Sequence, residues 1–179
     1  MPTSRTRQAL PGQGAPATLH GFPPVLAPDT RLVVLGSFPS VASLAAQQYY
    51  AHPRNHFWPI LGALWGLDLA GAPYARRVQA ALEHGLGIWD VYAECRREGS
   101  LDSAIEAPLH NDLAGLLQRA PRLQALAHNG GESARSMALT RSLGLPVYRL
   151  PSTSPANASW NFERKLAAWR EVFAAHGLA

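Results

Sequence analysis

Apolar residues in this chain fall into short unbroken runs, separated by stretches where they recur every three or four positions. The runs at 31–36, 87–91, 123–127 and 145–150 read as strands buried among other elements. Between them, 55–65 places Phe57, Ile60, Leu61 and Leu64 at helical spacing, with Asn55 positioned to cap the helix. Helices are also predicted over 73–84, with proline in the first turn, over 111–119, and from the turn at 128–131 to about 143. A closing amphipathic helix over 162–175 puts Phe162, Leu166, Trp169 and Phe173 on one face. Residues 94–102 read as an irregular charged loop. Residues 1–19 lack periodicity and are rich in Pro, Gly, Thr and Ala, which predicts a flexible arm before one domain over 20–179. No internal repeat is present. Alternating strands and helices predict a mostly parallel sheet covered on both faces, with right-handed crossovers.

Such a sheet gathers the loops that follow its strands at one edge, where α/β folds bind ligands. Those loops are 36–55, 90–102, 128–131 and 150–158. The densest chemistry lies in GSFPSVASLAAQQYYAHPRNHFW at 36–58, which carries adjacent tyrosines, a His-Pro-Arg-Asn tetrapeptide and a Phe-Trp pair. A second such loop, LPSTSPAN, follows the last predicted strand.

Composition narrows the field. A chain of 179 residues fits one domain with a sizeable core. The single cysteine, Cys95, excludes an intramolecular disulfide and a cysteine-held iron–sulfur cluster. No apolar run has the length of a membrane span, and no hydrophobic stretch follows Arg5 and Arg7, so a cytoplasmic protein without membrane association is expected. The net charge is +4, and 15 of the 16 basic residues are arginine, Lys165 being the exception. Arginine suits phosphate recognition, although a GC-rich coding bias produces the same ratio. GSFPS lacks the serine-hydrolase GxSxG elbow, and no GxGxxG follows the first strand. His52 and His56 are separated by Pro53, which breaks the helix that would align them on a metal.

The GSFPS loop, the QYYAHPRNHFW stretch and the LPSTSPANAS loop together resemble the uracil-DNA glycosylase superfamily, and within it the hypoxanthine-DNA (deoxyinosine) glycosylase branch. The resemblance spans residues 20–169. It implies a three-layer α/β/α sandwich around a four-stranded, mostly parallel sheet, with no metal and no cofactor. It also implies a monofunctional, monomeric enzyme of base excision repair acting on DNA that contains a deaminated base. Two positions depart from the superfamily pattern. Phe38 stands where relatives place an Asp or Asn near the sugar, and Leu150 where they often place a His or Asn against the base.

The resemblance makes Asn55 the catalytic amide, able to donate to the leaving base or position the water, although its place in the chain equally suits a helix cap. Tyr50 is expected to stack on the flipped base, with Tyr49 packing the loop. Phe38 is expected at the base as well. Asp90 could accept the N1–H of hypoxanthine or the N3–H of uracil, cap a turn, or pair with Arg96 or Arg97. Asn129 could contact the base or hold its loop. Ser37, Arg54, Ser152, Thr153, Ser154 and Asn157 are expected on the DNA backbone, with Arg149 as a further clamp. Proline-flanked turn chemistry also accounts for the three hydroxyls. Uracil excision, or DNA binding without catalysis, remain the alternatives.

Overall fold

The computed structural model describes residues 14–179. Strands β2 (Leu32–Gly36), β3 (Leu86–Asp90), β6 (Ala125–Asn129) and β7 (Val147–Leu150) form one parallel sheet in the order β3-β2-β6-β7. Every residue of β2, β3 and β6 is buried. Successive side chains of a strand point to opposite faces, so both faces of the sheet are covered. This is the expected α/β sandwich.

The helices that cover it are α1 (Val41–Ala46), α2 (Phe57–Trp65), α3 (Tyr74–Glu83), α4 (Leu116–Arg119), α5 (Gly131–Ala134), α6 (Met137–Arg141) and α7 (Phe162–Ala175). Helix α7 packs on α2 and β7, burying Leu166, Trp169 and Phe173. Asn161 caps it by accepting the Arg164 N–H at 2.9 Å.

A second sheet lies outside the expectation. Strands β1 (Thr18–His20), β4 (Tyr92–Arg96) and β5 (Glu106–His110) pair antiparallel in the order β1-β4-β5. Ordered structure therefore reaches back to Thr18, inside the expected arm, whose first thirteen residues lie outside the described residues. The charged stretch 94–102 begins as a strand, not a loop. Its pairing with β5 shifts register around Glu94, and β5 is exposed throughout, so neither strand shows the apolar alternation that announces one. Other bounds also moved. Helix α1 occupies part of the first loop, capped by Ser40 Oγ on the Ser43 N–H at 3.1 Å. Only 116–119 of the expected helix at 111–119 is helical, and the helix expected to reach 143 is split into α5 and α6.

Register fixes the functional edge. Gly36 pairs with Asp90, Leu35 with His128, and Asn129 with Leu150. Asp90, Gly36, Asn129 and Leu150 thus form a row where the four parallel strands end.

Below that row, His128 locks the short helices to β6. Its Nδ1 lies 2.7 Å from Ser133 Oγ and its Nε2 2.8 Å from Thr140 Oγ1. Ser133 Oγ donates to the Leu35 carbonyl at 2.7 Å, so it accepts from His128, which places the neutral ring's proton on Nδ1. Burial, opposed by the Ser133 hydrogen bond and aided by the charge of Arg141, lowers the His128 pKa to about 4. The stability this neutral ring contributes is complete above histidine's ordinary pKa and is lost as pH falls toward about 4. In urea denaturation, the stability of the parent relative to a His128→Gln variant is expected to drop by about 2 kcal/mol between pH 7 and pH 5. A difference that does not change with pH would remove His128 as the titrating lock.

Candidate active site

A cleft of about 830 Å³ opens over the strand-end row, and Gly36, Asp90, Asn129 and Leu150 all line it. Gly36 is required there. A side chain at this position would run into Asp90 Oδ1 and come within 3.0 Å of the Tyr50 hydroxyl. One wall is built from the loop after β2 together with Leu101 and Asp102, and the other from Pro151–Ser154, Asn157 and Trp160.

Asn129 joins these parts. Its Oδ1 accepts the Thr153 N–H at 3.0 Å, and its Nδ2 donates to Thr153 Oγ1 at 2.9 Å and to the Tyr50 hydroxyl at 3.2 Å. Both amide protons are therefore spent. Of the two roles expected for Asn129, the geometry gives the loop-holding one and leaves no N–H for a base. Thr153 in turn accepts the His56 N–H on its carbonyl at 3.0 Å, just before α2. Thr153 is fully buried, which corrects its expected place on the DNA backbone: its hydroxyl and amide face Asn129.

The two tyrosines divide as expected in one respect. Tyr49 is buried, donates to the Pro23 carbonyl at 2.9 Å, and accepts the Trp58 indole N–H on its own carbonyl at 3.0 Å. It packs the loop. Tyr50 lines the cleft, with its ring stacked on Phe57 at 3.9 Å between centroids. Its φ of 54° lies in the left-handed region, uncommon for a bulky residue. Burial first, and the nearby Asp90 second, push both phenols above their usual range, so they stay neutral.

Asn55 stands one residue before the capping position of α2, which is His56 and makes no side-chain cap bond, yet it supports the helix start. Its Oδ1 accepts the Phe57 N–H at 2.9 Å. A backbone N–H can only donate, so the oxygen is fixed on the helix and the NH₂ end is directed elsewhere. Asn55 lines the cleft as well.

Asp90 is the electrostatic centre of the floor. It is buried, and its Oδ2 has no hydrogen-bond partner. Burial, with Asp102 adding and Arg97 opposing, pushes its pKa up to about 7. No salt bridge joins it to Arg96 or Arg97 among the described residues. Asp102 and Arg97 were not legible as site residues. Asp102 is exposed at the rim, lines the cleft and accepts the Ser37 hydroxyl at 2.6 Å; partial desolvation raises its pKa against the opposing pull of that hydrogen bond. Arg97 is buried, with its guanidinium 5.3 Å from the Phe38 ring centroid. In the sequence both belonged to a charged stretch with no pattern. No local signal tied either to the loop after β2, since the Ser37–Asp102 contact spans 65 residues of chain.

The remaining expected residues are spread over the two walls. Phe38 and Leu150 are buried and contribute apolar wall. Ser152 and Ser154 line the cleft, each hydroxyl accepting a backbone N–H two residues on, at 3.2 Å. Asn157 Nδ2 donates to the Ser152 carbonyl at 3.2 Å, and Lys165 Nζ to the Ser154 carbonyl at 3.4 Å, bracing the loop from α7. Arg149 is exposed at the cleft. Arg54 is exposed and lines a shallower side depression of about 430 Å³ with His56 and Lys165, which meets the cleft at Asn55, Asn157 and Trp160.

Comparison with known proteins places this geometry. The family model described as the uracil DNA glycosylase superfamily matches residues 23–173. A protein of Methanosarcina acetivorans named hypoxanthine DNA glycosylase is 37% identical over 154 residues, covering 86% of this chain and 97% of the relative. A protein of the same name from Methanosarcina barkeri matches with the same identity and coverage. The solution NMR structure of a Methanosarcina acetivorans protein, provisionally described as a uracil DNA glycosylase, superposes with a TM-score of 0.77 at 34% identity, covering 87% of this chain and 99% of that one. Family model, relatives and fold thus coincide over nearly the whole described chain, which belongs to the uracil DNA glycosylase superfamily.

Proposed function

We propose that this protein is a monofunctional DNA glycosylase that hydrolyses the N-glycosidic bond of a flipped hypoxanthine, acting as a monomer and leaving an abasic site. The observation that carries this reading is an unpartnered, buried carboxylate on the floor of the strand-end cleft, beside an amide whose donor end is free. The two relatives named hypoxanthine DNA glycosylase support the choice of base.

The residues divide the work as follows. Tyr50, backed by Phe57, offers a flat face for the base. Ionised Asp90 accepts the N1–H of hypoxanthine. Adenine carries a lone pair at that position and is repelled. As the C1′–N9 bond breaks, water adds its hydroxyl to C1′ and the base departs with the bonding electrons, taking up the remaining proton. The Asn55 NH₂, already fixed by the bond to Phe57, stabilises the negative charge on the departing base without reorganising. Asn129 positions Tyr50 and the Thr153 loop. Ser37, Arg54, Ser152, Ser154 and Asn157 line the path of the DNA backbone, and Phe38 closes the wall. Uracil is the second reading, because Asp90 accepts its N3–H equally well.

Single-turnover excision from duplexes holding hypoxanthine, uracil or xanthine tests the proposal, with the abasic product as readout. Hypoxanthine is expected to be released fastest. Release of uracil alone would select the second reading, and no release of any base would reject the enzyme.

Two further outcomes follow from the geometry. Asn55→Ala should slow hypoxanthine excision by at least about 100-fold and weaken the start of α2 by about 1 kcal/mol. Asn55→Asp keeps the accepting oxygen but removes the donor, so it should keep the parental Tm while losing as much activity. A parental rate in Asn55→Asp would take the amide out of catalysis.

Base reading by ionised Asp90 should make the parental rate climb by about 10-fold from pH 6 to pH 8, following a group that titrates near 7. Asp90→Asn should flatten that profile. A folded-state pKa raised this far destabilises the protein increasingly as pH rises from about 4 to 7, so Asp90→Asn should raise Tm more at pH 8 than at pH 5. A rate that falls with pH would mean that the neutral acid acts instead.

A further inference from the structure

Strand β3 ends at Asp90, the chain turns through β4, and it comes back to the cleft wall at Arg97. Of the two adjacent arginines there, Arg96 stays half-buried while Arg97 turns inward and is only 5% exposed. Its Nε donates to the Gly99 carbonyl at 2.8 Å and its Nη2 to the Pro39 carbonyl, which ties the loop after β4 to the loop after β2. The guanidinium carbon lies 5.3 Å from the ring centroid of Phe38, a residue of the cleft wall.

Nothing in that arrangement neutralises the charge. Both acceptors are carbonyls, Nη1 is buried without a hydrogen-bond partner, and no carboxylate among the described residues forms a salt bridge with Arg97. Arginine stays protonated in proteins, so burial here encloses a positive charge at a cost in stability. Bracing two loops does not require that cost, because a neutral amide also donates to carbonyls.

Asp90 is the counterpart on the cleft floor, a buried carboxylate whose Oδ2 has no partner. The groups that face it are Tyr49 and Tyr50 from the loop after β2, and Asp102 and Arg97 from the loop after β4. The tyrosines are neutral and Asp102, itself facing Glu132 of α5, is repulsive. Arg97 is the cation of the set. It faces in turn Asp90, Asp102 and the Cys95 thiol of β4, which burial keeps neutral.

We propose that Arg97 is a positioning residue for base excision, its enclosed charge holding Asp90 in the carboxylate form that accepts from the base. The role rests on the glycosylase reading above. An opposite charge favours the ionised form of a nearby acid, and between buried groups its field is little screened by salt. A direct salt bridge would give the same charge but consume the acceptor. Arg97 does not line the cleft and does not bond to Asp90, so Oδ2 stays open to the base.

Arg97→Gln and Arg97→Lys test this as a pair. Each is shorter than arginine and keeps a donor for one of the two carbonyls, so both loosen the wall and they differ in charge. In the free protein, a carboxyl-carbon NMR titration of Asp90, assigned with Asp90→Asn, reads the effect without catalysis and reports folding at the same time. The midpoint should stay near the parental value in Arg97→Lys and rise by about one pH unit in Arg97→Gln, the low end for a neighbouring charge because the contact is not direct. In single-turnover hypoxanthine excision, Arg97→Gln should run about 10-fold slower than Arg97→Lys at pH 6 and within about twofold of it at pH 9, where Asp90 is ionised in both. Equal midpoints in the two variants, or a rate ratio that does not change with pH, would reduce Arg97 to a brace and overturn the proposal. Equal midpoints beside normal hypoxanthine release by the parent would do so while leaving the glycosylase reading intact. A parent that releases no base removes that reading, and the catalytic role of Arg97 with it, whatever the midpoints do.

Discussion

The side-chain amide of Asn129 is the joint on which the cleft depends. Three bonds run from it, two to Thr153 and one to Tyr50, and Thr153 passes the constraint on to the start of α2 through His56. One buried group at the end of β6 thereby sets the distance between the two loops that form the cleft, and it sets where α2, and hence Asn55, begins. Buried polar groups of this kind are costly unless fully satisfied, and this one is. The strained backbone of Tyr50 is held by the same joint.

On that frame the cleft carries two kinds of unspent chemistry. Asn55 gives its oxygen to the helix and keeps its donors, while Asp90 keeps an acceptor that nothing in the protein satisfies. Burying a carboxylate beside another acidic group destabilises the fold, a cost of the kind that clusters at functional sites. Gly36 makes the arrangement possible by leaving the space that Asp90 and Tyr50 occupy.

The four parallel strands were legible because strands buried on both faces write themselves as unbroken apolar runs. The segment 36–58 was legible as chemistry, and its motifs carried the family. The second sheet was not legible, since β5 is exposed at every position and the pairing of β4 slips register, leaving no alternation to read. Helix α1 escaped because its small apolar residues sat inside a segment already assigned to ligand binding, although Ser40 offered a cap. The inward turn of Thr153 between two outward serines was invisible for another reason. Three hydroxyls between prolines look alike, and only the distant Asn129 chooses among them. Asp102 and Arg97 became site residues through contacts with the loop after β2, some sixty residues away in the chain.

If the joint at Asn129 governs the cleft, cutting it should disable chemistry that Asn129 does not itself perform. The direct measurement is single-turnover hypoxanthine excision by Asn129→Ala, with folding followed by circular dichroism. A folded protein slowed by at least about 100-fold is expected, the scale of loss when reacting groups shift by about 1 Å. A folded variant that excises at the parental rate would contradict the account.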